Sequence, residues 1–516
     1  MEELVLPPAM IETVTAIADW VIVLPLVLCL MGAALALMLR RSGSLVFGVS
    51  VLVICAAIAC EVTLLLRVFE NGPLSMTMGK WLPPFGISFV ADLFSAGFAL
   101  AASVVTLVVL VYAEGERRTG LDDNFHAMVL LLLAGVTGSF LTGDLFNLYV
   151  WFEVMLIASF GLLVLGGRPL QLDGAVKYGF LNFLATSLFL LALGLLYGLL
   201  GTLNMADILR VAPAANPAAM ATIAGILLLA FGMKAAAFPL NGWLPASYHT
   251  PPAVISALFA GLLTKVGAYA LLRSLVVVLP ARRDILEPML VAIAVATLLI
   301  APLGAIAETN LRRAIGFLVI GGVGSVLAGL ALPSLAGISG AGLYIVHAML
   351  TMTALYLVAG LIERATGAVD TRQMGGLYAA SAPLSILFLV LILATAGVPP
   401  FLGFWPKLLL LQASLGQGGS SGGLLSGALL INAVLTLIAG SRLWAHVFWR
   451  AAPERAVPTR ANTAWAGLGA TAVLATIIVA AGLWPNGLFE IVAAGAPDLI
   501  DPSRYVEAVG LAGGTP

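Results

Sequence analysis

Long apolar runs separated by short polar breaks follow one another along the whole chain. Each run is close to the roughly 20 residues that a helix needs to cross a bilayer. The runs are continuously apolar, unlike the alternating strands of a transmembrane β-barrel. This pattern predicts an all-α polytopic membrane protein with about 14 transmembrane helices. The predicted spans cover residues 20–39, 43–67, 86–112, 125–141, 145–166, 175–200, 217–239, 252–278, 286–306, 313–333, 341–362, 382–399 with a continuation to about 414, 424–449 and 464–484.

Composition agrees with this class of protein. Of the 516 residues, 61% are apolar and 9% are charged, whereas an average soluble domain is about 45–50% apolar and about 25% charged. This difference excludes an ordinary soluble enzyme and a disordered protein. Cys29, Cys55 and Cys60 lie inside apolar runs and indicate no disulfide framework. A net charge of −1 indicates no nucleic-acid partner, and the glycine-rich run 416–423 predicts a flexible surface loop.

Basic residues in the connections predict the orientation of the helices. Lysine and arginine are enriched in cytoplasmic connections. One side of the predicted membrane holds Arg40, Arg41, Arg117, Arg118, Arg168, Arg312, Arg313, Arg364, Arg372, Arg450, Arg455 and Arg460. The other side holds Arg67, Lys80, Arg210, Arg282, Arg283 and Arg504. This asymmetry predicts that both termini lie on the non-cytoplasmic side.

Three lysines, Lys234, Lys265 and Lys407, lie in strongly apolar sequence. A lysine at bilayer depth costs about 2.5–3.5 kcal/mol on insertion scales, and a desolvated lysine can release its proton, whereas arginine stays protonated. These lysines therefore predict proton transfer within the membrane. The alternative is that they snorkel to the surface or form fixed bridges.

Two of these lysines lie beside predicted helix breaks. Pro239 and Pro245 follow Lys234, and the pair at 399–400 precedes Lys407. Proline ends a helix because it removes a hydrogen bond and clashes with the preceding turn. Broken helices inside a membrane are tolerated where they line protein or a water-filled path. We therefore predict an ion pathway at the seventh and twelfth spans.

Acidic residues are scarce within the spans. Glu153 lies deep in the fifth span and needs a partner or a proton. Asp144 lies nine residues earlier, near the membrane surface, where it is a secondary candidate or a helix cap. Glu61 and Asp92 are interpreted as packing or polar anchors. Glu308, just before Arg312 and Arg313, predicts a local charge pair.

Two histidines complete the candidate set. His347 lies within the eleventh span and His249 follows the break after Lys234, where it could stand at the mouth of a pathway. Histidine titrates near pH 6.5 and relays protons readily, although each could equally be a satisfied core residue. The sequence has no P-loop, no dinucleotide-binding glycine motif and no cysteine cluster for iron–sulfur, so it predicts no cofactor.

Several segments resemble the antiporter-like membrane subunits shared by Mrp-type multisubunit cation/proton antiporters and respiratory complex I. The resemblance extends from about Asp92 to about Lys407. The segment TGDLFNLYVWFEVMLIASFGLLVLGG resembles the D-type subunits of Mrp-type Na⁺/H⁺ antiporters most of all. The segment FGMKAAAFPLNGWLPASYHTPPAVISALFAGLLTKVGAYALLR is typical of the wider family, and GVPPFLGFWPK matches its broken twelfth helix.

The resemblance implies a fold of fourteen helices with two inverted five-helix repeats and broken helices 7 and 12. It implies four regions along the chain. These are helices 1–3 (1–120), a first repeat of helices 4–8 (121–280), a second of helices 9–13 (281–450), and helix 14 with a tail (451–516).

The resemblance also implies roles for individual residues. Glu153 matches the family's fifth-helix glutamate and Lys234 the seventh-helix lysine that pairs with it. Lys265 and Lys407 match the lysines of helices eight and twelve. His249 and His347 match histidines of the same polar axis, along which family members are thought to pass protons. Asp144 and Lys177 are secondary candidates.

This sequence departs from the family pattern in two places. Met352, between Thr351 and Thr353, stands where relatives often have a lysine, so one titratable group is missing. The usual serine-rich segment of helix ten contains Gly321, Gly322 and Gly324 instead. That stretch therefore needs water or threonine hydroxyls to carry a proton.

The sequence thus predicts a proton-translocating subunit of a multisubunit Na⁺/H⁺ antiporter in a bacterial inner membrane. Its partners would be other Mrp-type subunits, protons, Na⁺ and membrane lipid, and it would be a transporter subunit, not an enzyme. One alternative is a proton-pumping subunit of a complex I-like redox complex. Another is a structural scaffold that only holds a transporting partner.

Overall fold

The chain is almost entirely helical in the computed structural model, which describes residues 16–79, 81–115, 123–451 and 465–511. The helices are α1 (Leu24–Met38), α2 (Gly43–Asn71), α3 (Leu93–Gly115), α4 (Phe125–Leu141), α5 (Leu145–Val164), α6 (Pro169–Leu200), α7 (Met205–Val211), α8 (Pro217–Ala235), α9 (Trp243–Ser247), α10 (Ala253–Leu271), α11 (Pro280–Ala307), α12 (Leu311–Ala331), α13 (Leu335–Thr366), α14 (Leu377–Ala380), α15 (Ala382–Ala396), α16 (Phe404–Gln417), α17 (Gly419–Trp444), α18 (Trp465–Leu483), α19 (Asn486–Ile500) and α20 (Ser503–Ala508). Two strands, β1 (Leu74–Met78) and β2 (Ile87–Ala91), form an antiparallel hairpin.

Every predicted apolar run coincides with helix over most of its length. Within the described residues, eleven helices are long and apolar enough to cross a membrane, and α1, α4 and α15 are shorter apolar helices. The chain is therefore a polytopic helical membrane protein. The number of crossings and the inverted repeats stay predictions.

The centre of the bundle is formed by α10, α12 and α13, which are buried along almost their whole lengths. The outer helices expose apolar side chains, such as Phe180 and Phe183 of α6, which are 71% and 68% exposed. An apolar exterior is what lipid or a neighbouring subunit requires. Several polar and charged side chains are instead buried inside the bundle.

The start of the third predicted span is wrong. The predicted span begins at residue 86, but β2 occupies Ile87–Ala91 and α3 begins at Leu93. The boundary is fixed by Asp92 and Ser95, because the Asp92 Oδ1 accepts from the Ser95 N–H at 2.8 Å and the Ser95 Oγ accepts from the Asp92 N–H at 2.9 Å. Such reciprocal bonds satisfy the unpaired donors of a helix start.

The predicted surface loop at 416–423 is also wrong. α16 runs to Gln417 and α17 begins at Gly419, so only Gly418, at φ +67°, separates the two helices. The positive φ favours glycine. Gly422 packs so closely that an added Cβ would lie 2.3 Å from the Ser414 carbonyl oxygen. The small residues therefore serve a tight helix–helix turn.

The C-terminal segment adds two helices that the hydropathy pattern did not predict. α19 packs against α3 and α13, and the side chain of Tyr505 in α20 is buried. Arg504 packs against Gly72, at the end of α2. The segment therefore closes one end of the bundle.

Candidate functional site

Both predicted helix breaks are present. The first comes just after Lys234, as predicted, and the second comes three residues before the predicted pair at 399–400. α8 ends at Ala235, and Ala236 adopts the left-handed conformation at φ +62°. α15 ends at Ala396, and Gly397 has φ +85°. Each break places a lysine beside backbone that leaves the helix, at Lys234 in α8 and at Lys407 in α16.

The break after Lys234 is held by side chains from neighbouring elements. The Trp243 indole N–H donates to the Met233 carbonyl at 2.9 Å, and the Thr297 hydroxyl accepts from the Phe238 N–H at 3.1 Å. Gly267 of α10 lies directly against this region, since a Cβ there would approach the Ala235 nitrogen to 2.7 Å. The two helices with Lys234 and Lys265 are thereby in close contact.

The ammonium of Lys234 lies against an aromatic ring. Its side chain is buried, with the Nζ 4.8 Å from the centroid of the Phe152 ring. A cation over such a ring is stabilised by the ring's quadrupole. Among the described residues, no hydrogen bond or ion pair within 4.0 Å engages this Nζ. The group is therefore buried yet weakly held.

Glu153 follows Phe152 on α5 and is half-buried. Its charge acts on Lys234, but the two side chains do not form an ion pair within the 4.0 Å limit. The predicted partners are thus neighbours without direct contact. Phe152, which precedes Glu153 on α5, is the residue whose ring the lysine contacts.

Lys265 and Lys407 are each held by backbone oxygens. The Lys265 Nζ donates to the Ala260 carbonyl and, at 3.2 Å, to the Thr264 hydroxyl. The Lys407 Nζ donates to the carbonyls of Thr395 and Ala396, at 3.0 and 2.8 Å. The Thr395 and Ala396 carbonyls belong to the last turn of α15, where carbonyl groups have no hydrogen-bond partner within the helix. Within the parts of the chain described, neither lysine has a carboxylate in ion-pair range.

His347 lies between these two lysines, completely buried in α13, and the charges of both act on it. Its Nδ1 is 3.2 Å from the Thr351 hydroxyl, whereas its Nε2 is buried without a partner. A buried polar atom with no partner is uncommon and costly. The structure therefore brings His347 within the influence of Lys265 and Lys407, with its Nε2 buried and without a hydrogen-bond partner.

Gly403 packs against His347, so a larger side chain at this position should destabilise the protein. An added Cβ would lie 1.9 Å from the Ala394 carbonyl oxygen and 2.9 Å from the His347 Nε2. We expect Gly403→Ala to displace the break or the histidine and to destabilise the protein by about 1–3 kcal/mol, as overpacking does. The measurement is thermal unfolding of the purified protein. Gly427→Ala is the matched control, since no atom lies within 4 Å of a Cβ added there. Equal melting temperatures for the two variants would contradict the close packing of Gly403.

His249 lies near a group of charges at one end of the bundle. Its Nδ1 is 2.9 Å from the Pro245 carbonyl, and the charges of Glu308, Arg312 and Arg313 act on it. Arg313 pairs with Glu308 at 3.4 Å, which is the predicted local charge pair. Arg312 also pairs with Glu363 at 2.8 Å, a partner that the local sequence did not reveal because it lies on α13. The histidine is half-buried, as a group at a pathway mouth would be.

The secondary candidates, Asp144 and Lys177, have local partners of their own. Asp144 caps α5, and its carboxylate accepts from the Asn147 N–H at 2.8 Å. Lys177 pairs with Asp173 at 2.5 Å, and both side chains are about half exposed.

In α13, Thr351 and Thr353 flank Met352, which stands where relatives often have a lysine. Met352 is fully buried. The Thr351 hydroxyl faces His347, and the Thr353 hydroxyl donates to the Met349 carbonyl at 2.7 Å. In the described ranges, no group of three or more His, Cys, Asp and Glu side chains could hold a metal ion.

One buried ion pair was not predicted from the sequence. Arg273, in the π-helical extension of α10 (Leu272–Val278), pairs with Asp92 and is 2% exposed. Its guanidinium also donates to the Tyr269 hydroxyl, at 2.9 Å from Nη2, and lies 5.3 Å from the rings of Tyr269 and Tyr505. A helical arginine whose partner lies 181 residues away gives no local signal in the sequence.

Lysines buried beside helix breaks in a polytopic bundle are typical of ion-transporting membrane subunits. A family model described as "NADH:quinone oxidoreductase/Mrp antiporter, TM" matches residues 142–436. The D-type subunit of the Na⁺/H⁺ antiporter of Bacillus subtilis is 34% identical over 492 residues, which cover 95% of this chain and 99% of that protein. The chain belongs to this NADH:quinone oxidoreductase/Mrp antiporter family.

Solved structures agree with this assignment. A chain of the Mrp complex from Dietzia sp. DQ12-45-1b superimposes with a TM-score of 0.88 at 27% identity, covering 96% of this chain and all of that one. A chain of an archaeal membrane-bound sulfane sulfur reductase gives a TM-score of 0.82 at 25% identity, with 96% and 99% coverage. The common fold thus extends over nearly the whole chain.

Proposed function

We propose that this chain is the D-type, proton-translocating subunit of a multisubunit Na⁺/H⁺ antiporter. The observation that supports this most is the group of buried residues Lys265, His347 and Lys407, in which the His347 Nε2 has no hydrogen-bond partner. Relatives named as D-type subunits of Na⁺/H⁺ antiporters and the likeness to a chain of an Mrp complex support the assignment. Its partners would be the other subunits of such a complex.

In the first half of the chain, Lys234 would alternate between two positions. Over the Phe152 ring it is separate from the Glu153 carboxylate; turned towards Glu153 it would form an ion pair. At about 4 Å and an effective dielectric constant near 20, such a pair is worth about 4 kcal/mol. Moving between the two positions would therefore change how firmly the lysine holds its proton.

Between the two proposed repeats, a proton would pass from Lys265 of the first to Lys407 of the second through His347. Lys265 would give its proton to one imidazole nitrogen, and the ring would release one from the other nitrogen towards Lys407. The Thr351 hydroxyl beside Nδ1 would keep the ring oriented. His249 would connect the first half to the end of the bundle where the Arg312 and Arg313 charges lie.

The arrangement in the membrane completes the proposal. Both termini would lie on the non-cytoplasmic side of a bacterial inner membrane, in agreement with the distribution of arginine. Residues 121–280 and 281–450 would form the two inverted repeats, each with one broken helix. Residues 1–120 would supply three flanking helices, and 451–516 the last helix and the tail.

Lys265→Met tests this function. Methionine preserves an unbranched side chain and removes the charge, so the assembled complex should stay folded. We expect Na⁺-dependent proton movement in reconstituted vesicles to fall at least about tenfold. Lys265→Arg should fail as well, because arginine does not release its proton.

The control for this experiment is Arg372→Met, which removes an exposed cation of a connection. Its transport should equal that of the unmodified complex. Full transport by Lys265→Met would instead leave the chain as a scaffold for a transporting partner.

A further inference from the structure

A second buried carboxyl lies outside the predicted proton axis. Glu61 belongs to α2, most of whose residues face outwards, yet its own side chain is 0% exposed. It points at α3, where the Ser103 hydroxyl donates to its Oε1 at 2.9 Å. This carboxyl is therefore enclosed by α1, α2 and α3, the helices that precede the first proposed repeat.

The other oxygen of this carboxyl, Oε2, is buried without a hydrogen-bond partner. The ionisable groups that face it are the thiols of Cys29 on α1 and Cys60 on α2 itself. The nearest cation along α2, Arg67, is engaged elsewhere, since it pairs with Asp19 of the short 3₁₀ helix Ile17–Ile22 that precedes α1. From α4, His126 packs on Phe47, four turns away along α2. In the portion described, no cation lies in ion-pair range of Glu61.

A buried carboxylate without a counter-charge is too costly to persist, so this carboxyl carries a proton. The proton lies on Oε2, because Oε1 already accepts from Ser103. A carboxyl that was only a packing element would gain by donating this proton to an acceptor, as buried polar groups do. Here the acidic proton has no protein acceptor among the described residues, so no hydrogen bond to the protein holds it on Oε2.

The Glu61 position on α2 lies close to the outer surface of the chain. Cys60, the preceding residue, is partly exposed at the perimeter of the chain. The carboxyl thus lies one residue along α2 from a surface that a neighbouring subunit can cover.

We propose that Glu61 is an exchangeable proton-binding site, separate from the Glu153–Lys407 axis, that loads and releases a proton during each transport cycle. Release transfers the Oε2 proton to water or to an acceptor of a neighbouring subunit and leaves the carboxylate hydrogen-bonded to Ser103. This inference rests on the proposed function.

Glu61→Gln separates exchange from a static role, because glutamine has the size of the protonated carboxyl and keeps the bond from Ser103 but cannot release a proton. In the reconstituted complex, we expect Na⁺-dependent proton movement to fall at least about tenfold and Glu61→Asp to restore part of it. Normal transport by Glu61→Gln would overturn the proposal. If Lys265→Met also transports normally, the proposed function itself fails; if only Glu61→Gln does, the failure concerns this site alone.

A second measurement does not depend on the variant's activity. The infrared band of a protonated carboxyl, taken as the difference between the unmodified complex and Glu61→Gln, should decrease reversibly as pH is raised through the range of transport. A band that stays constant across this range would identify a permanently protonated structural residue and overturn the proposal. Ser103→Ala, which retains the carboxyl, should keep the band and change its pH dependence.

Discussion

Lys234→Met and Glu153→Gln should each lower Na⁺-dependent proton transport at least about tenfold while the complex still assembles. Lys234 is buried and without a hydrogen bond or ion pair in the described structure, so methionine removes a costly charge without breaking a bond. Glu153 is the carboxylate whose charge acts on this lysine. Without Glu153 the lysine has no second position to move to, and without Lys234 the group that carries the proton is missing.

The measurement is proton movement driven by a Na⁺ gradient in vesicles that contain the assembled complex. Asp173→Asn serves as the control for Glu153→Gln, since it neutralises an exposed carboxylate of the next helix. Because the two groups would act as a unit, the double variant should be no worse than either single one. Independent, additive losses would show that Glu153 and Lys234 do not form one switch, and undiminished transport in both would refute the mechanism.

Local sequence was sufficient to predict the elements that depend on neighbouring residues. Helix positions followed from continuous apolar runs, and the breaks beside Lys234 and Lys407 followed from prolines a few residues away. The position of Asp144 at a helix start was likewise readable, because an N-cap is a local feature. These features need no knowledge of what packs against them.

Long-range pairings could not be predicted in the same way. Arg273 meets Asp92 across 181 residues, and Glu61 meets Ser103 across 42. An apolar run shows that such groups are buried but not which helices pack together. The hairpin before α3 was missed for a related reason, since its residues are as apolar as a span. The C-terminal helices are amphipathic and short, so hydropathy alone did not reveal them.

The buried polar groups fall into two kinds, and the difference bears on function. Arg273 has an ion pair, hydrogen bonds to Tyr269 and two aromatic faces, an arrangement that fixes a charge in place. The Nε2 of His347 and the Oε2 of Glu61 have no partner. A fully satisfied network rigidifies a core, whereas an atom without a partner changes its protonation with little rearrangement. We therefore expect groups of the second kind to take part in proton exchange together with the buried lysines, whereas Arg273 should not.

Asp92→Asn should destabilise the protein far more than any loss of an exposed pair. The variant leaves the Arg273 guanidinium buried at 2% exposure without a compensating charge, which costs about 3–5 kcal/mol. The pair also joins α3, the π-helical end of α10 and Tyr505 of the C-terminal segment. We therefore expect that segment to loosen first, with earlier proteolysis between α18 and α20 and a lower unfolding temperature in detergent.

The double variant Asp92→Asn/Arg273→Met separates the charge from the packing. Replacing a buried ion pair by groups of similar volume is often close to neutral, so the double variant should recover most of the lost stability. Asp19→Asn, which breaks the partly exposed pair with Arg67, should cost no more than about 1 kcal/mol. If Asp92→Asn is as mild as Asp19→Asn, the buried pair does not hold the C-terminal segment. Because Arg273 lies two turns beyond Lys265 on the same helix, recovered stability with normal transport would also show that this fixed charge anchors α10 without taking part in the movement of protons.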